Sequence, residues 1–501
     1  MLFDIFTNPE LKRNAWIELR PNRIWAMLGL MAFVFVFANT AFVNQYTPAN
    51  EVMMNTSLTI FYFLVGVWGT KNAADAVAEE INQKTWDRQR MSGQNPWTLT
   101  IGKLFGPTLF QWLGGLLAML VYFTAALNSA KAGDMLLAGM IHLGLGLMAN
   151  MLALLLSLLN ITGNAQSSFS HSKINTTLFF ILSIVTVACV AWLFGILLSL
   201  GYESGAITWF GIIWNKLTIF ISLLIFIAWS MIGIHQNLRT ELQYRNKAGY
   251  WIAFLAFVAI YFYGFMFNEG EWDETLRKNI YHAPKMSFTT SMYYHLLFIS
   301  GLFFGITQFL LLIERKAEDE YRSFIAQLRT LQWRKLWVEA PLWFSSLIAF
   351  ILTIGAVIII KTFNLSETGS FIRDALHAYP RYYGLSQDGS EITNAVEISR
   401  LSIVLCLLST ILLLLRDVWI SRYLLYRTKF KNKLLVVALY YVIVYWAIPG
   451  LFMVGHNDEY SIIAVFLPFY ASVAWTSFIA LAIQAGAAWW WYRYTLLNEA
   501  A

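Results

Sequence analysis

The stretch FQWLGGLLAMLVYFTAAL, residues 110–127, contains no charged side chain. An α-helix of about twenty apolar residues crosses the hydrocarbon core of a bilayer, whereas a barrel strand needs about ten residues of alternating polarity. The whole chain of 501 residues has this apolar character, since 58% of it is hydrophobic and only 13% is charged. Soluble domains are about 45–50% apolar and about 25% charged. The sequence therefore predicts an all-α polytopic membrane protein and excludes a soluble globular one.

Apolar runs of this length recur along the chain and predict about twelve membrane spans. They lie near residues 24–43, 52–70, 104–127, 135–160, 177–200, 208–234, 250–267, 291–313, 341–360, 400–415, 434–454 and 461–492. Most of the 35 Lys and Arg residues fall in the connections on the same side as the N-terminal segment. Because cytoplasmic connections are rich in Lys and Arg, we expect both termini in the cytoplasm. The expected location is the bacterial inner membrane.

Two cytoplasmic segments resemble each other and indicate an internal duplication. GKLF, residues 102–105, precedes the third span, and RKLW, residues 334–337, precedes the ninth. A charge-dense stretch comes before each of them, at residues 78–90 and 314–324. We therefore predict a 6+6 repeat of two parallel halves. The first half covers residues 1–235 and the second covers residues 236–501.

These cytoplasmic segments are similar to those of the permease subunit of ABC-2 type transporters, which belong to the export-type ABC systems. The likeness is carried by ELRPNR at 18–23, by SGQNPWTLTIGKL at 92–104 and by YRSFIAQLRTLQWRKL at 321–336. Permeases of that family have an elbow helix, six spans and a coupling helix between the second and third spans. The resemblance thus implies an elbow helix at 8–23 and coupling segments at 76–103 and 314–338. Gln332 stands where the family usually has proline.

The resemblance gives the two coupling segments a docking role toward an ABC ATPase, two copies of which would serve one chain. Their charged residues suit a polar groove on a partner, and their tryptophans suit the level of the lipid headgroups. The residues to which this role is assigned are Glu79, Glu80, Thr85, Trp86, Asp87, Arg88, Pro96, Trp97, Lys103, Glu318, Glu320, Arg322, Arg329, Lys335 and Trp337.

The chain lacks the usual means of hydrolysing ATP. A P-loop reads G-x-x-x-x-G-K-[ST], but the only Gly-Lys pair, Gly102-Lys103, is followed by Leu104. We expect a non-catalytic subunit that holds no cofactor itself, with ATP and Mg bound by the partner. The seven histidines are scattered, so no metal site is expected. The net charge of +6 follows from the excess of Lys and Arg in the predicted cytoplasmic connections, so binding to nucleic acid is not needed to explain it.

Polar residues inside the predicted spans are candidates for a substrate path, because ionisable groups are costly in lipid. These candidates are His142 and Asn150 in the fourth span and Asn215 and Lys216 in the sixth, where Lys216 could extend outward. Two larger external loops, 268–290 and 361–399, are candidates for contact with an external or periplasmic partner.

Two other classes of membrane protein share part of this pattern. A secondary transporter of the major facilitator type also has twelve spans and inside termini. Its loop motif G-x-x-x-D-R-x-G-R-R matches at Asp87-Arg88, but Gln83 and Arg90 occupy the glycine positions. An integral-membrane glycosyltransferase needs acidic residues in the first external loop, which offers only Glu51.

Overall fold

The computed structural model describes residues 8–165 except 92 and 130, parts of 180–188 and 323–330, and residues 207–244 except 211 and 243. It also describes residues 249–267, 288–313, 340–363, 400–427, 433–444 and 474–499. Within these residues the chain is mainly helical, with three short strands, and five helices are long and apolar enough to cross a membrane. The prediction of a helical chain of membrane type is confirmed. The count of twelve spans, the repeat and the side of the termini stay predictions.

The chain divides into two compact units. The first comprises Met1–Lys247 with Arg315–Ala326, and the second comprises Ala248–Glu314 with Gln327–Ala501. The chain first passes from one unit to the other after Lys247, whereas the sequence places the boundary between the two predicted halves at 235.

The first unit contains the first predicted coupling segment. Its elements are α1 (Pro9–Glu18), α2 (Pro21–Phe42), α3 (Ala49–Phe61), a π-helix (Tyr62–Gly69), α4 (Thr70–Asn82), α5 (Trp86–Arg90), α6 (Pro96–Phe105), α7 (Leu109–Leu127), α8 (Ala132–Ala165), β1 (Ile207–Trp209), β2 (Ile212–Ile213) and α9 (Lys216–Glu241).

Three of the predicted spans have different ends in the structure. The second predicted span continues without a break through α3, the π-helix and α4, so that one helix of 34 residues, Ala49–Asn82, carries the chain into the charge-dense stretch. The third begins at Leu109 rather than at 104. The sixth begins at Lys216 rather than at 208, because β1 and β2 form an antiparallel hairpin there, with Thr208 opposite Ile213. The fifth, 177–200, lies largely outside the described residues.

Two helices of the first unit begin in the same way. Asn8 caps α1 by accepting hydrogen bonds from the backbone N–H groups of Glu10 and Leu11, and a proline follows it. Asn95 caps α6 by accepting from the N–H of Trp97, and again a proline follows. Asparagine satisfies the free N–H groups of a first turn, and proline at the first helical position lacks an N–H that would need a partner. The sequence thus fixes where both helices start.

The membrane part of the first unit is built around the helix Ala49–Asn82. This helix packs antiparallel to α7, where a Cβ on Gly115 would overlap the side chain of Val65, and it packs parallel to α8. Helix α8 in turn packs parallel to α9, where a Cβ on Gly144 would overlap Leu223. Small residues at such crossings allow helix backbones to approach closely in a membrane.

The second unit is also helical. Its elements are α10 (Gly249–Tyr263), β3 (Phe265–Phe267), α11 (Phe288–Ile313), α12 (Leu342–Phe363), α13 (Arg400–Arg427), α14 (Lys433–Val442) and α15 (Ala474–Glu499). Phe303 and Phe350 lie in the core between α11 and α12. The predicted spans 250–267, 291–313 and 341–360 overlap with shorter apolar helices, although residues 265–267 of the first form β3. Of the predicted span 461–492, only the residues from 474 onward are described, and they belong to α15. The tenth, 400–415, is the first part of a helix that continues to Arg427.

Candidate functional site

Lys103 of α6 is the centre of a cluster of buried charges in the first unit. Its side chain is fully buried, and its Nζ donates hydrogen bonds to Glu10 Oε1 at 2.9 Å and to the carboxylate of Glu80. Glu10 lies on α1 and Glu80 near the end of α4, so residues far apart in the sequence meet here. The ring of Trp86 lies 5.7 Å from the ammonium group and provides a cation–π contact.

Arg13 and Gln89 complete the cluster on its outer side. Arg13 Nη2 bridges the two carboxylates, at 2.9 Å from Glu10 Oε1 and 2.8 Å from Glu80 Oε1. Gln89 Nε2 donates to Glu10 Oε2 at 3.2 Å and to Glu80 Oε1 at 3.0 Å. We call these five residues, Glu10, Arg13, Glu80, Gln89 and Lys103, the ion cluster.

The ion cluster is balanced in charge and in hydrogen bonds. Two carboxylates face one ammonium and one guanidinium, and every carboxylate oxygen accepts at least one hydrogen bond. Burial of charge is unfavourable unless the charges are paired and fully hydrogen-bonded, which is the case here. Partial burial lowers the pKa of Arg13, but the hydrogen bond to Glu80 and the charges of Glu10 and Glu80 outweigh this and raise it.

The ion cluster joins α1, α4, α5 and α6 into one body. A second contact strengthens the joint, because Asn8 Nδ2 donates to the carbonyl of Thr98 at 2.7 Å. The region predicted as elbow helix at 8–23 and the first predicted coupling segment at 76–103 are therefore held together by buried polar contacts. Within 8–23 the chain forms α1 and the start of α2, separated by Leu19 and Arg20.

The side chains predicted to couple to a partner divide into three groups in the first segment. Glu79, Asp87 and Arg88 are exposed; Thr85, Pro96 and Trp97 are half-buried; Glu80, Trp86 and Lys103 are buried. Of the charged residues given a docking role in this segment, Glu80 and Lys103 are thus turned into the first unit, and the docking role itself stays a prediction. Glu80 is turned inward because it follows Ala73 and Val77 on one face of α4, at helical spacing.

Trp97 has a structural contact of its own. Its indole ring stacks on the imidazole of His235, with the ring centroids 3.9 Å apart and the planes inclined by 13°. His235 is near the end of α9. Helix α6 is therefore in contact with α9, a further span-length helix besides Ala49–Asn82 and α7.

The second predicted coupling segment is described only in part. Arg329 is exposed. The other assigned residues of this segment lie outside the described residues: Glu318, Glu320, Arg322, Lys335 and Trp337. The external loops at 361–399 and 268–290 also lie outside them, apart from the ends of the flanking helices at 361–363 and 288–290.

The predicted substrate-path residues form two separate pairs. His142 and Asn150 lie on α8 and bind the helix Ala49–Asn82, since Tyr62 Oη is 2.6 Å from His142 Nδ1 and Thr70 Oγ1 donates to Asn150 Oδ1 at 2.9 Å. Asn215 caps α9 through a capping box with Thr218.

Lys216 has a different environment from the one expected inside a span. It is the first residue of α9, and its Nζ lies 3.7 Å from Asp134 Oδ2. The four predicted residues are therefore not brought together in one place. Among the described residues, no group of three His, Cys, Asp or Glu side chains could hold a metal ion.

The sequence analysis missed a buried ion pair in the second unit. Arg416 Nε donates to Asp417 Oδ1 at 2.9 Å, and its Nη2 lies 2.9 Å from the same oxygen. Its Nη1 donates to Gln484 Oε1 at 2.8 Å. Tyr440 Oη donates to the same Asp417 oxygen at 2.7 Å. We call these four residues the α13 cluster. The sequence contains a signal for it, because Arg416-Asp417 directly follows the apolar run ILLLL at the end of the predicted span 400–415.

No protein-family model, curated protein or solved structure matches this chain. Similarity therefore establishes no family, and the geometry of the first unit carries the functional assignment.

Proposed function

We propose that this chain is the transmembrane permease subunit of an ATP-driven exporter of the ABC type, with the energy supplied by a separate ATPase subunit. The observation that carries the proposal is the ion cluster. It makes one body of α1, α4, α5 and α6 at the end of a span-length helix, and it leaves the charged side chains of Glu79, Asp87 and Arg88 exposed.

This arrangement can transmit a movement of a soluble partner to the membrane-spanning helices. Helix α4 continues directly from the π-helix and α3, and α6 leads through Gly106–Thr108 into α7. The stacking of Trp97 on His235 adds α9. A partner that moves the exposed face would thus act on three span-length helices together, because separating a buried charge pair costs about 3–5 kcal/mol.

The proposed 6+6 repeat is supported by the order of the packed helices within each unit. In the first unit the helix Ala49–Asn82 packs on α7, and α8 packs parallel to α9. In the second unit α11 packs on α12, and α13 packs parallel to α15, since Gln484 contacts Arg416 and Trp491 contacts Tyr423. Two such halves would present two docking segments and bind two ATPase copies, each carrying ATP and Mg.

A secondary transporter is the second candidate, and one observation favours it. His142 and Tyr62 form a polar pair inside the membrane part of the first unit, as in a site for a proton or a small polar substrate. Such a protein would need no ATPase, so the two candidates differ in whether a nucleotide-binding subunit is bound.

The test is association with an ATPase. The full chain is purified in mild detergent from cells in which it occurs, as wild type and with Asp87→Ala and Arg88→Ala combined. We expect binding of the ATPase at the first docking segment to weaken at least about tenfold in the double variant, since loss of an interfacial charge pair costs about 2–5 kcal/mol. Co-purified ATPase should then fall from two copies toward one per chain, and its ATP hydrolysis should fall with it.

Glu51→Ala with Lys131→Ala is the matched control, because it removes one acidic and one basic exposed side chain elsewhere in the first unit. The control is expected to retain the ATPase. Absence of any ATPase with the wild type, or equal amounts with both double variants, would contradict the proposal and favour the secondary transporter.

A further inference from the structure

The helix Ala49–Asn82 contains a π-helix of eight residues, Tyr62–Gly69, between two α-helical parts. In a π-helix each backbone N–H bonds the carbonyl five residues before it, rather than four. Such segments are rare and occur often at functional positions within α-helices.

Both ends of this π-helix are bound to the neighbouring helix α8. Tyr62, its first residue, makes the hydrogen bond to His142, and Thr70, which directly follows it, makes the hydrogen bond to Asn150. Each pair is separated by 80 positions in the sequence, so the two helices run parallel and advance by the same eight residues between the two bonds. Helix α8 is α-helical throughout and holds the π-helix at both ends.

The π-helix determines which face of α4 is turned inward. It has more residues per turn than an α-helix, so a change to α-helical bonding would advance everything beyond it by on the order of 100°, the angle of one residue. Each residue of α4 would then take the direction now held by the next one. Glu80, buried against Lys103, would turn to the less buried direction of Ile81 and leave the ion cluster.

One buried group would favour a change of the π-helix to α-helical bonding. Asn150 is fully buried, and its Nδ2 has no hydrogen-bond partner in the described part of the chain. A Cβ atom added to Gly69 would lie 3.4 Å from this Nδ2 and 3.4 Å from the carbonyl oxygen of Leu64. The backbone of the π-helix is therefore close to the free donor. A buried donor without a partner is unfavourable, and a different backbone bonding pattern would allow it to be satisfied.

We propose that the π-helix Tyr62–Gly69 is a register switch. It couples two hydrogen bonds within the membrane, Tyr62–His142 and Thr70–Asn150, to the ion cluster at the other end of the same helix. Loss of these bonds favours the α-helical register, turns Glu80 away from Lys103 and releases α1 and α6. The switch does not depend on the ATPase, so it can hold even if the proposed function fails.

The test uses cysteine reporters at two adjacent buried positions of α4. Ala78 is 1% exposed and Val77 is fully buried. In the α-helical register Ala78 would take the exposed direction of Glu79, whereas Val77 would take the buried direction of Ala78. The full chain carries Ala78→Cys or Val77→Cys in a background with Cys189→Ala and Cys406→Ala, and its labelling by a water-soluble maleimide is timed after permeabilisation.

Tyr62→Phe removes only the hydroxyl that binds His142. It is expected to increase the labelling rate at Ala78→Cys by about two- to tenfold, which corresponds to a net hydrogen bond of about 0.5–1.5 kcal/mol. Labelling at Val77→Cys is expected to stay unchanged. Tyr122→Phe is the matched control, because Tyr122 Oη donates to the carbonyl of Met135 at 3.0 Å and takes part in neither of the two hydrogen bonds that bind the π-helix to α8.

Equal labelling of Ala78→Cys in the Tyr62→Phe and Tyr122→Phe variants would overturn the switch. A joint increase at Ala78→Cys and Val77→Cys would overturn it as well, since that result indicates loosening without rotation. If Tyr62→Phe does not fold, Thr70→Val removes the hydroxyl at the other end with little change of shape, and the same outcomes apply.

Discussion

The ion cluster of the first unit and the α13 cluster of the second pair their buried charges in different ways. The ion cluster takes its charged groups from α1, α4 and α6, so its members are up to 93 residues apart in the sequence. In the α13 cluster the two charged groups, Arg416 and Asp417, are adjacent on one helix, and the contacts to other helices come from the uncharged Gln484 and Tyr440.

Both clusters are neutral in total charge, as buried charges must be to avoid a large desolvation cost. They differ in what the charges hold together. In the ion cluster the charge–charge contacts themselves join separate helices, so loss of one member loosens the joint. In the α13 cluster the ion pair belongs to one helix, and charge-assisted hydrogen bonds to Gln484 and Tyr440 join it to neighbouring helices. The ion cluster therefore fixes the arrangement of helices more strongly.

The strongest test of this difference is Lys103→Met, which keeps the length of the side chain but removes its charge. Glu10 and Glu80 would then face each other with the half-exposed Arg13 as the remaining positive charge of the ion cluster. We expect the free energy of unfolding in detergent to fall by about 3–5 kcal/mol, as for other broken buried pairs. Lys131→Met, an exposed lysine in the same unit, is the control and should have no measurable effect. A loss below about 1 kcal/mol would show that the cluster is accessible to water.

A smaller loss is expected when the α13 cluster is changed. Asp417→Asn keeps the shape and one acceptor oxygen for Arg416 and Tyr440 but removes the negative charge. Hydrogen bonds to charged groups contribute about 1.5–3 kcal/mol, so the free energy of unfolding should fall by about that amount. If Asp417→Asn proved as costly as Lys103→Met, the distinction between the two clusters would not hold.

The sequence was sufficient for the class of fold but not for the inside of the candidate site. Apolar runs locate most of the described helices, because a membrane span leaves a long and simple pattern. The burial of Glu80 and Lys103 was not expected, since charged residues are usually exposed unless they are paired, and pairing across 23 residues depends on the tertiary fold. The helical spacing of Ala73, Val77 and Glu80 was a signal that could have placed Glu80 inward.

The π-helix is a second reason why the sequence did not predict which side chains of the first coupling segment are buried. Its residues, YFLVGVWG, are apolar and fit an α-helix equally well, so periodicity does not reveal it. Yet it changes the direction of every side chain after Gly69, including those assigned to the first coupling segment. Asn215 and Lys216 were likewise placed inside a span because the apolar residues of the hairpin at 207–213 resemble the start of a helix.

The smallest effect is expected at the edge of the ion cluster, where Arg13 is half-exposed. Arg13→Ala leaves Lys103 in contact with both carboxylates, so the core of the cluster stays neutralised in part. Ion pairs open to water contribute about 0.2–1 kcal/mol and weaken with salt, so the loss of unfolding free energy should lie in that range and shrink as salt is added. Arg23→Ala is the comparison, because Arg23 pairs with only one carboxylate, that of Glu18 at 3.1 Å, and is exposed to a similar degree. Arg13→Ala should cost more than Arg23→Ala but less than Lys103→Met. A loss at Arg13 as large as at Lys103, and independent of salt, would mean that the guanidinium rather than the ammonium group holds the helices together.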